Sequence, residues 1–232
     1  MPDARGGRPG GGYPEGVPDG FQRIGHGGAS ALAPGNTLAS FDAAQEIGVD
    51  VIEFDVRAGV GELVLAHTVF HARRAAAVRL GEALAHLSGR RFAGIELNVD
   101  VKHVGCESRV LEQLGRYGLL SRALISSQVP AVLDRVRALE PHARVGISIG
   151  GRAARASRRW RDWRAGVLAG LASGRWEAVM VQHRLIGPAL LDEVRERDGA
   201  LYAWTVNERA GIERLRGLGV HGIATADPRL FG

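Results

Sequence analysis

Apolar residues along the chain fall into short β-rich runs separated by longer stretches with helical spacing. Eight runs read as strands: "FQRIGHG" (21–27), "VIEFDV" (51–56), "GIELNVDV" (94–101), "RALISS" (122–127), "RVGISI" (144–149), "EAVMVQH" (177–183), "LYAWTV" (201–206) and "HGIATA" (221–226). Between most of them the apolar period shifts to that of a helix. "NTLASFDAAQEIG" opens on an Asn/Thr cap and sets Leu38, Phe41 and Ala44 on one face. "PAVLDRVRALEP" and "GPALLDEVRERDG" each open near a proline, and "NERAGIERLRGLG" begins at a cap on Asn207 and stops at Gly219. Strand–helix alternation with right-handed crossovers implies a parallel sheet. Eight such units predict an α/β fold, a single-domain (β/α)8 TIM barrel, with a doubly wound open sheet as the alternative.

One run carries an oddity. In "VIEFDV", Glu53 and Asp55 stand at i and i+2, so on a strand their carboxylates point the same way. Two like charges on an apolar strand repel and lose hydration unless something positive compensates them. A barrel collects active groups at the C-terminal ends of its strands. His26 closes the first run, Glu53 and Asp55 lie late in the second, Asp100 and Lys102 close the third, and Trp204 and Asn207 end the seventh. His67 follows the short extension "ELVLAH" (62–67). Glu53, Asp55 and Asp100, with no cysteine nearby, describe a hard oxygen site suited to Mg²⁺ or Ca²⁺; the competing reading is polar strand ends satisfied by arginine. His26 and His67 could flank a phosphorus centre, one accepting a proton from water and the other donating to the leaving oxygen. His71, His86, His103, His142, His183 and His221 have no such company and read as structural or exposed.

Composition narrows the field. The 232 residues, 45% hydrophobic and 24% charged, suffice for one sizeable core or two small domains, and no segment is apolar enough to span a bilayer. Residues 1–20, dense in Gly and Pro, read as a flexible leader without an apolar signal region, followed by the barrel over 21–232. A lone cysteine, Cys106, excludes an internal disulfide and a Cys-rich metal site and fits a cytoplasmic setting. The net charge of +5 raises the question of nucleic acid, but the cations are spread out apart from residues 150–164, which read chiefly as a solvated arginine-rich surface. Lys102 is the chain's only lysine, which hints at a position needing a compact point charge. "GHGGAS" (25–30) and "GIATADP" could bring backbone near a phosphate or simply make turns.

Taken in order, these motifs resemble the glycerophosphodiester phosphodiesterase family. "RIGHGGASALAPGNTLASFDAAQEIGVDVIEFDV…GELVLAH" resembles its H-R-G, P-E-N-T-L-x-A-F, G-x-D-x-I-E-x-D-V and H-D motifs. "LNVDVK" resembles L-N-x-E-x-K, and "AWTVNERAGIERLRGLGVHGIATADP" resembles the closing W-T-V-N, G-V-D-G-I and T-D-x-P. The resemblance implies a (β/α)8 barrel that hydrolyses a small-molecule glycerophosphodiester to glycerol 3-phosphate and an alcohol with a divalent cation. It implies metal ligation by Glu53, Asp55 and Asp100, acid/base roles for His26 and His67, Lys102 against the phosphate or the acid cluster, and Trp204 lining the substrate pocket.

The chain departs from the pattern at three places. Gly27 replaces the arginine after the first histidine, Gly35 replaces the glutamate of P-E-N-T, and Thr68 replaces the aspartate of H-D. Loss of a phosphate-clamping arginine would cost on the order of 2–4 kcal/mol of transition-state stabilisation unless another cation substitutes. The stretch after His67 is also short, so a more open pocket is expected. Two alternatives follow: a degenerate barrel that binds phosphate without chemistry, and cleavage to a cyclic phosphate in the manner of a toxin phospholipase D.

Overall fold

A computed structural model describes residues 20–74, 76–150 and 157–232, with side chains described from 161 in the last segment. The expected leader over 1–20 lies outside the described residues but for Gly20, as do residues 151–156 of the arginine-rich stretch at 150–164.

The chain runs β1 (Gln22–His26), α1 (Leu38–Ile47), β2 (Val51–Ala58), β3 (Leu63–Leu65), α2 (Val69–Ala72), α3 (Leu80–Leu87), β4 (Glu96–Val101), α4 (Glu107–Arg116), β5 (Ala123–Ser127), α5 (Pro130–Leu139), β6 (Arg144–Ile149), α6 (Ser157–Ala172), β7 (Ala178–Gln182), α7 (Pro188–Arg195), β8 (Ala200–Trp204), α8 (Arg209–Leu218) and β9 (Gly222–Thr225). Strands β1, β2, β4, β5, β6, β7, β8 and β9 pair in parallel, and the β1–β2 pairing closes the ring. All eight expected strands are present, and the open-sheet alternative falls. The last unit departs from the ideal: β9 is followed by a 3₁₀ turn, Pro228–Phe231, whose Phe231 packs edge-on against Phe21. Strand β3 pairs antiparallel with the end of β2 and lies outside the ring.

Local chemistry sets the helix ends. Thr37 and Ser40 form a reciprocal capping box at the start of α1, and Gly48, at φ 88°, ends it in the left-handed conformation that glycine tolerates. Pro130 and Pro188 open α5 and α7, where a missing N–H costs nothing. The expected cap on Asn207 is corrected: Glu208 is the N-cap of α8, and Asn207 Oδ1 instead accepts from the Ala226 N–H at 3.0 Å and the Thr225 hydroxyl at 3.3 Å. The Asn207 side chain thus ties the end of β9 to the start of the α8 segment instead of capping the helix.

The core lies between barrel and helices. Phe41, Phe54, Ile52, Leu84, Leu97 and Leu114 are fully buried there, each contributing roughly 1.5–3 kcal/mol of apolar burial. Within the barrel the apolar filling is thin: Ile24, Val51 and Ala224 form a small cluster against Tyr202 and Trp204. The polar residues of the same strands therefore face a cavity above that plug.

Candidate active site

Strand register builds the acid cluster. Glu53 stands opposite His26 on β1 and Asn98 on β4, and Asp55 stands opposite Asp100. Opposite residues on neighbouring parallel strands point to the same face, so three strands deliver His26, Glu53, Asp55 and Asp100 to the inside of the barrel. The β2–β3 hairpin adds His67. The Ala66 N–H donates to the Asp55 carbonyl at 3.1 Å, and the turn brings His67 Nδ1 to 3.4 Å from Asp55 Oδ2.

Each carboxylate is buried, and each is anchored differently. Glu53 Oε2 accepts the Gly27 N–H at 2.8 Å, with His26 Nε2 at 3.9 Å. Asp55 is held by Asn36, whose amide donates to Oδ2 at 2.9 Å while its carbonyl oxygen accepts the Asp55 N–H at 2.9 Å. Lys102 Nζ lies 2.5 Å from both Asp55 Oδ1 and Asp100 Oδ2, bonding the latter but out of hydrogen-bond alignment with the former. Asp100 Oδ1 is likewise buried without a partner.

One ammonium against three buried carboxylates leaves the site short of positive charge. Burial pushes the Glu53 carboxyl well above the usual range, and the negative charge of Asp55 adds to it. Burial also raises Asp100, against the pull of Lys102. For Asp55, burial is outweighed by the neighbouring His67 and by Lys102, which with the Asn36 amide hold its carboxyl below the ordinary range. Burial opposes the charge on Lys102, but Asp100, Asp55 and Glu53 reverse this and raise its pKa. His26 is held toward its neutral form, first by burial and then by Lys102 and His67, against Asp55.

One oxygen from each of Glu53, Asp55 and Asp100 can be chosen so that all lie within 4.8 Å of one another. The orphaned oxygens, the raised carboxyls and the all-oxygen donor set fit a hard divalent cation. Among the described residues no arginine pairs with these acids, so the competing expectation of arginine-satisfied strand ends does not hold.

Glu53 and Asp100 of the cluster form one wall of a cavity of about 430 Å³ that His26, His67, Lys102, Gln128, Gln182 and Trp204 also line. Trp204 is fixed there by its indole N–H, which donates to the Met180 carbonyl at 3.0 Å. The remaining histidines stay apart, as expected: His86 pairs with Asp42, His103 accepts the Ala58 N–H, and His221 accepts the Leu201 N–H. "GHGGAS" is a turn rather than a phosphate cradle. Gly27 and Gly28 adopt φ 61° and 75°, a Cβ on Gly28 would meet Ser40 backbone at 2.6 Å, and the Gly27 amide is committed to Glu53. "GIATADP" is also a turn, with Asp227 accepting from the Arg229 N–H and pairing with its guanidinium.

Sequence reasoning passed over Asn36. Its signal was the N of "PGNT", but nothing in the sequence says that this asparagine folds back with φ 61° to clamp an aspartate nineteen residues away. Ser126, Ser148, Gln182 and Tyr202 line the far wall of the cavity and lie in no motif.

Residues 26–78 and 93–230 match the profile of the Glycerophosphoryl diester phosphodiesterase family. The chain is 26% identical to a glycerophosphodiester phosphodiesterase of Caldanaerobacter subterraneus over 88% of its length and 93% of the relative's. It is 29% identical to one of Arabidopsis thaliana, over 89% of this chain and 70% of the plant protein. Its fold superposes with a TM-score of 0.71 on an Oleispira antarctica phosphodiesterase, solved in complex with the product sn-glycerol-3-phosphate, at 20% identity over 90% of this chain and 94% of the other.

Proposed function

The chain belongs to the glycerophosphoryl diester phosphodiesterase family, which makes it a phosphoric diester hydrolase, and we propose that it cleaves a glycerophosphodiester to glycerol 3-phosphate and an alcohol. The observation that carries this reading is the buried triad of Glu53, Asp55 and Asp100, of which Glu53 and Asp100 line the cavity together with His26 and His67. Those three carboxylates would hold a divalent cation, Mg²⁺ or Ca²⁺, which supplies Lewis-acid polarisation of a phosphoryl oxygen.

The protein's own groups divide the remaining work. His26, kept neutral by burial, is suited to take a proton from the attacking water. His67 is oriented by Asp55, with Nδ1 3.4 Å from Oδ2, which leaves Nε2 to protonate the departing alkoxide. Lys102 sits where it can neutralise the acids and meet phosphate charge from the same position. Trp204 offers an apolar wall to the alcohol or glycerol moiety. The single buried Cys106, its thiol pushed up to about 11 by burial, fits a reducing cytoplasmic setting, and no helix among the described residues is long and apolar enough to cross a membrane.

A panel of glycerophosphodiesters assayed with Mg²⁺, Ca²⁺ and EDTA tests the reading. Release of glycerol 3-phosphate that EDTA abolishes is expected. His26→Ala and His67→Ala should each remove turnover while keeping the metal-induced rise in melting temperature. No turnover of any diester with metal supplied would sink the proposal. Phosphorus NMR separates a linear from a cyclic product.

A further inference from the structure

The large apolar side chains that stay exposed are unevenly placed. Among the described residues, five of the seven, Leu32, Val60, Val69, Phe70 and Val104, lie in the segments that follow β1, β2, β3 and β4, at the end of the barrel where the cavity opens, while Leu139 and Trp163 lie on α5 and α6. Val60 is 89% and Phe70 71% exposed, far beyond what packing on the barrel explains. Single exposed apolar residues are ordinary, whereas their concentration around one opening marks an interaction surface.

Contacts tie three of these loops into one edge. The Ala58 N–H donates to His103 Nε2 at 2.9 Å, joining the Val60 and Val104 loops. Arg109 bonds the Gly61 carbonyl at 3.0 Å across the same gap. A Cβ on Gly59 would lie 3.3 Å from the Ala72 carbonyl, so the Val60 turn sits against α2, which carries Val69 and Phe70.

The edge is also basic. Arg57 donates to the His67 carbonyl, Arg74 lies over the Phe70 ring at 5.2 Å, and Arg73 is exposed beside them; among the described residues none of the three pairs with a carboxylate. Elsewhere on the surface, arginines pair routinely, as in Arg23–Asp50, Arg144–Glu96 and Arg175–Asp134. Glu62 is the one exposed acid on the loops that carry Val60, Val69, Phe70 and Val104. Apolar tips among uncompensated arginines complement a layer with anionic headgroups over hydrocarbon, a combination that binds reversibly in the interface plane.

We propose that this edge seats the mouth of the barrel on an anionic phospholipid surface. The cavity then opens toward the headgroup layer, and the active site meets diesters held at that layer as well as those free in solution. Seating needs binding alone, so it stands or falls apart from turnover.

Co-sedimentation of the whole chain with vesicles tests it, using phosphatidylglycerol mixed into phosphatidylcholine against phosphatidylcholine alone. Binding to the anionic vesicles is expected to be at least tenfold tighter and to weaken as salt rises. Arg73→Gln and Arg74→Gln should each weaken it about fivefold, and Phe70→Ser about tenfold or more. Leu139→Ser, exposed at the opposite end of the barrel, should bind as the parent does. Unchanged melting temperatures would show that the variants are folded. Absent binding, equal binding to neutral vesicles, or a Phe70→Ser variant that binds like the parent would overturn the proposal. So would a dimer in sedimentation equilibrium that Phe70→Ser dissociates, since the edge would then be a self-interface.

Discussion

Lys102 and Asp100, two residues apart at the end of β4, share a hydrogen bond of 2.5 Å inside the barrel mouth. The bond joins the chain's only lysine to one of the three acids of the buried cluster. It makes Lys102 the built-in counterion of a site that still carries excess negative charge.

Removing that counterion should unbalance the site in a metal-dependent way. Lys102→Met leaves three carboxylates facing one another, and breaking a buried pair from one side costs about 3–5 kcal/mol. Denaturant unfolding in EDTA should show a loss of that order, and saturating Mg²⁺ or Ca²⁺ should recover most of it. Turnover should stay low even with metal, because no other cationic side chain among the described residues lines the cavity apart from the histidines. An equal loss with and without metal would disconnect Lys102 from the acid cluster.

Metal affinity should rise with pH. The carboxyls of Glu53 and Asp100 are raised, so in the folded, metal-free protein they hold protons at pH values where the unfolded chain has released them. A cation must displace those protons, so binding weakens toward acid and strengthens as pH climbs above 4.5. By the same sign, the metal-free fold loses stability from these two groups as pH rises, and metal restores it. Calorimetry in buffers of different ionisation enthalpy should register proton release on binding; none would contradict the assignment.

Asn36 supports the site without belonging to its charged set. Asn36→Ala removes both hydrogen bonds to Asp55, one of them to a charged acceptor, at a cost of roughly 1.5–3 kcal/mol. Freed of its clamp, Asp55 should bind metal about 10–100-fold more weakly. Thermal-shift titration with Mg²⁺ or Ca²⁺ reads both effects, and an unaltered metal affinity would reduce Asn36 to a loop residue.

The acid limb of activity should lie low. With its pKa below 6.5, His26 stays neutral at pH 7 and gains its proton only under more acidic conditions. The kcat/KM of the metal-loaded enzyme should therefore hold down to pH 6.5 and fall beneath it. Stability carries the same sign: His26's contribution is present above 6.5 and is lost as pH falls through its lowered value. A limb centred above pH 7 would point to a different base.

Gly27 and Gly35 are neighbours across a turn: a Cβ on Gly27 would lie 3.5 Å from the Gly35 Cα. These are the two positions at which the family resemblance expects an arginine and a glutamate. Gly27→Arg with Gly35→Glu should raise kcat/KM on a glycerophosphodiester, by up to 10²–10³-fold if the guanidinium reaches phosphate. The left-handed backbone at Gly27 should cost about 1–2 kcal/mol of stability. Gly27→Arg alone, lacking its partner, should gain less. No gain from the double variant would mean that Lys102 already performs the clamp.

The sequence by itself determined the barrel and which strand ends carry most of the candidate residues. Near-continuous apolar runs such as "VIEFDV" and "RVGISI" demand strands covered on both faces, and Glu53 and Asp55 at i and i+2 had to share one of those faces. Strand-end position alone also carried His26, Asp100 and Trp204 to the cavity. What the tertiary structure decided were relationships across the chain. Register set Asp55 opposite Asp100, and the hairpin laid His67 on Asp55. A left-handed turn brought Asn36 back to the same carboxylate, and Asn207 accepts from the end of β9 instead of capping its helix. The physical reason is the range of the forces involved. Periodicity and burial act along a strand and leave a trace in neighbouring residues, whereas hydrogen bonds and charge pairs form between groups that meet only once the barrel has closed.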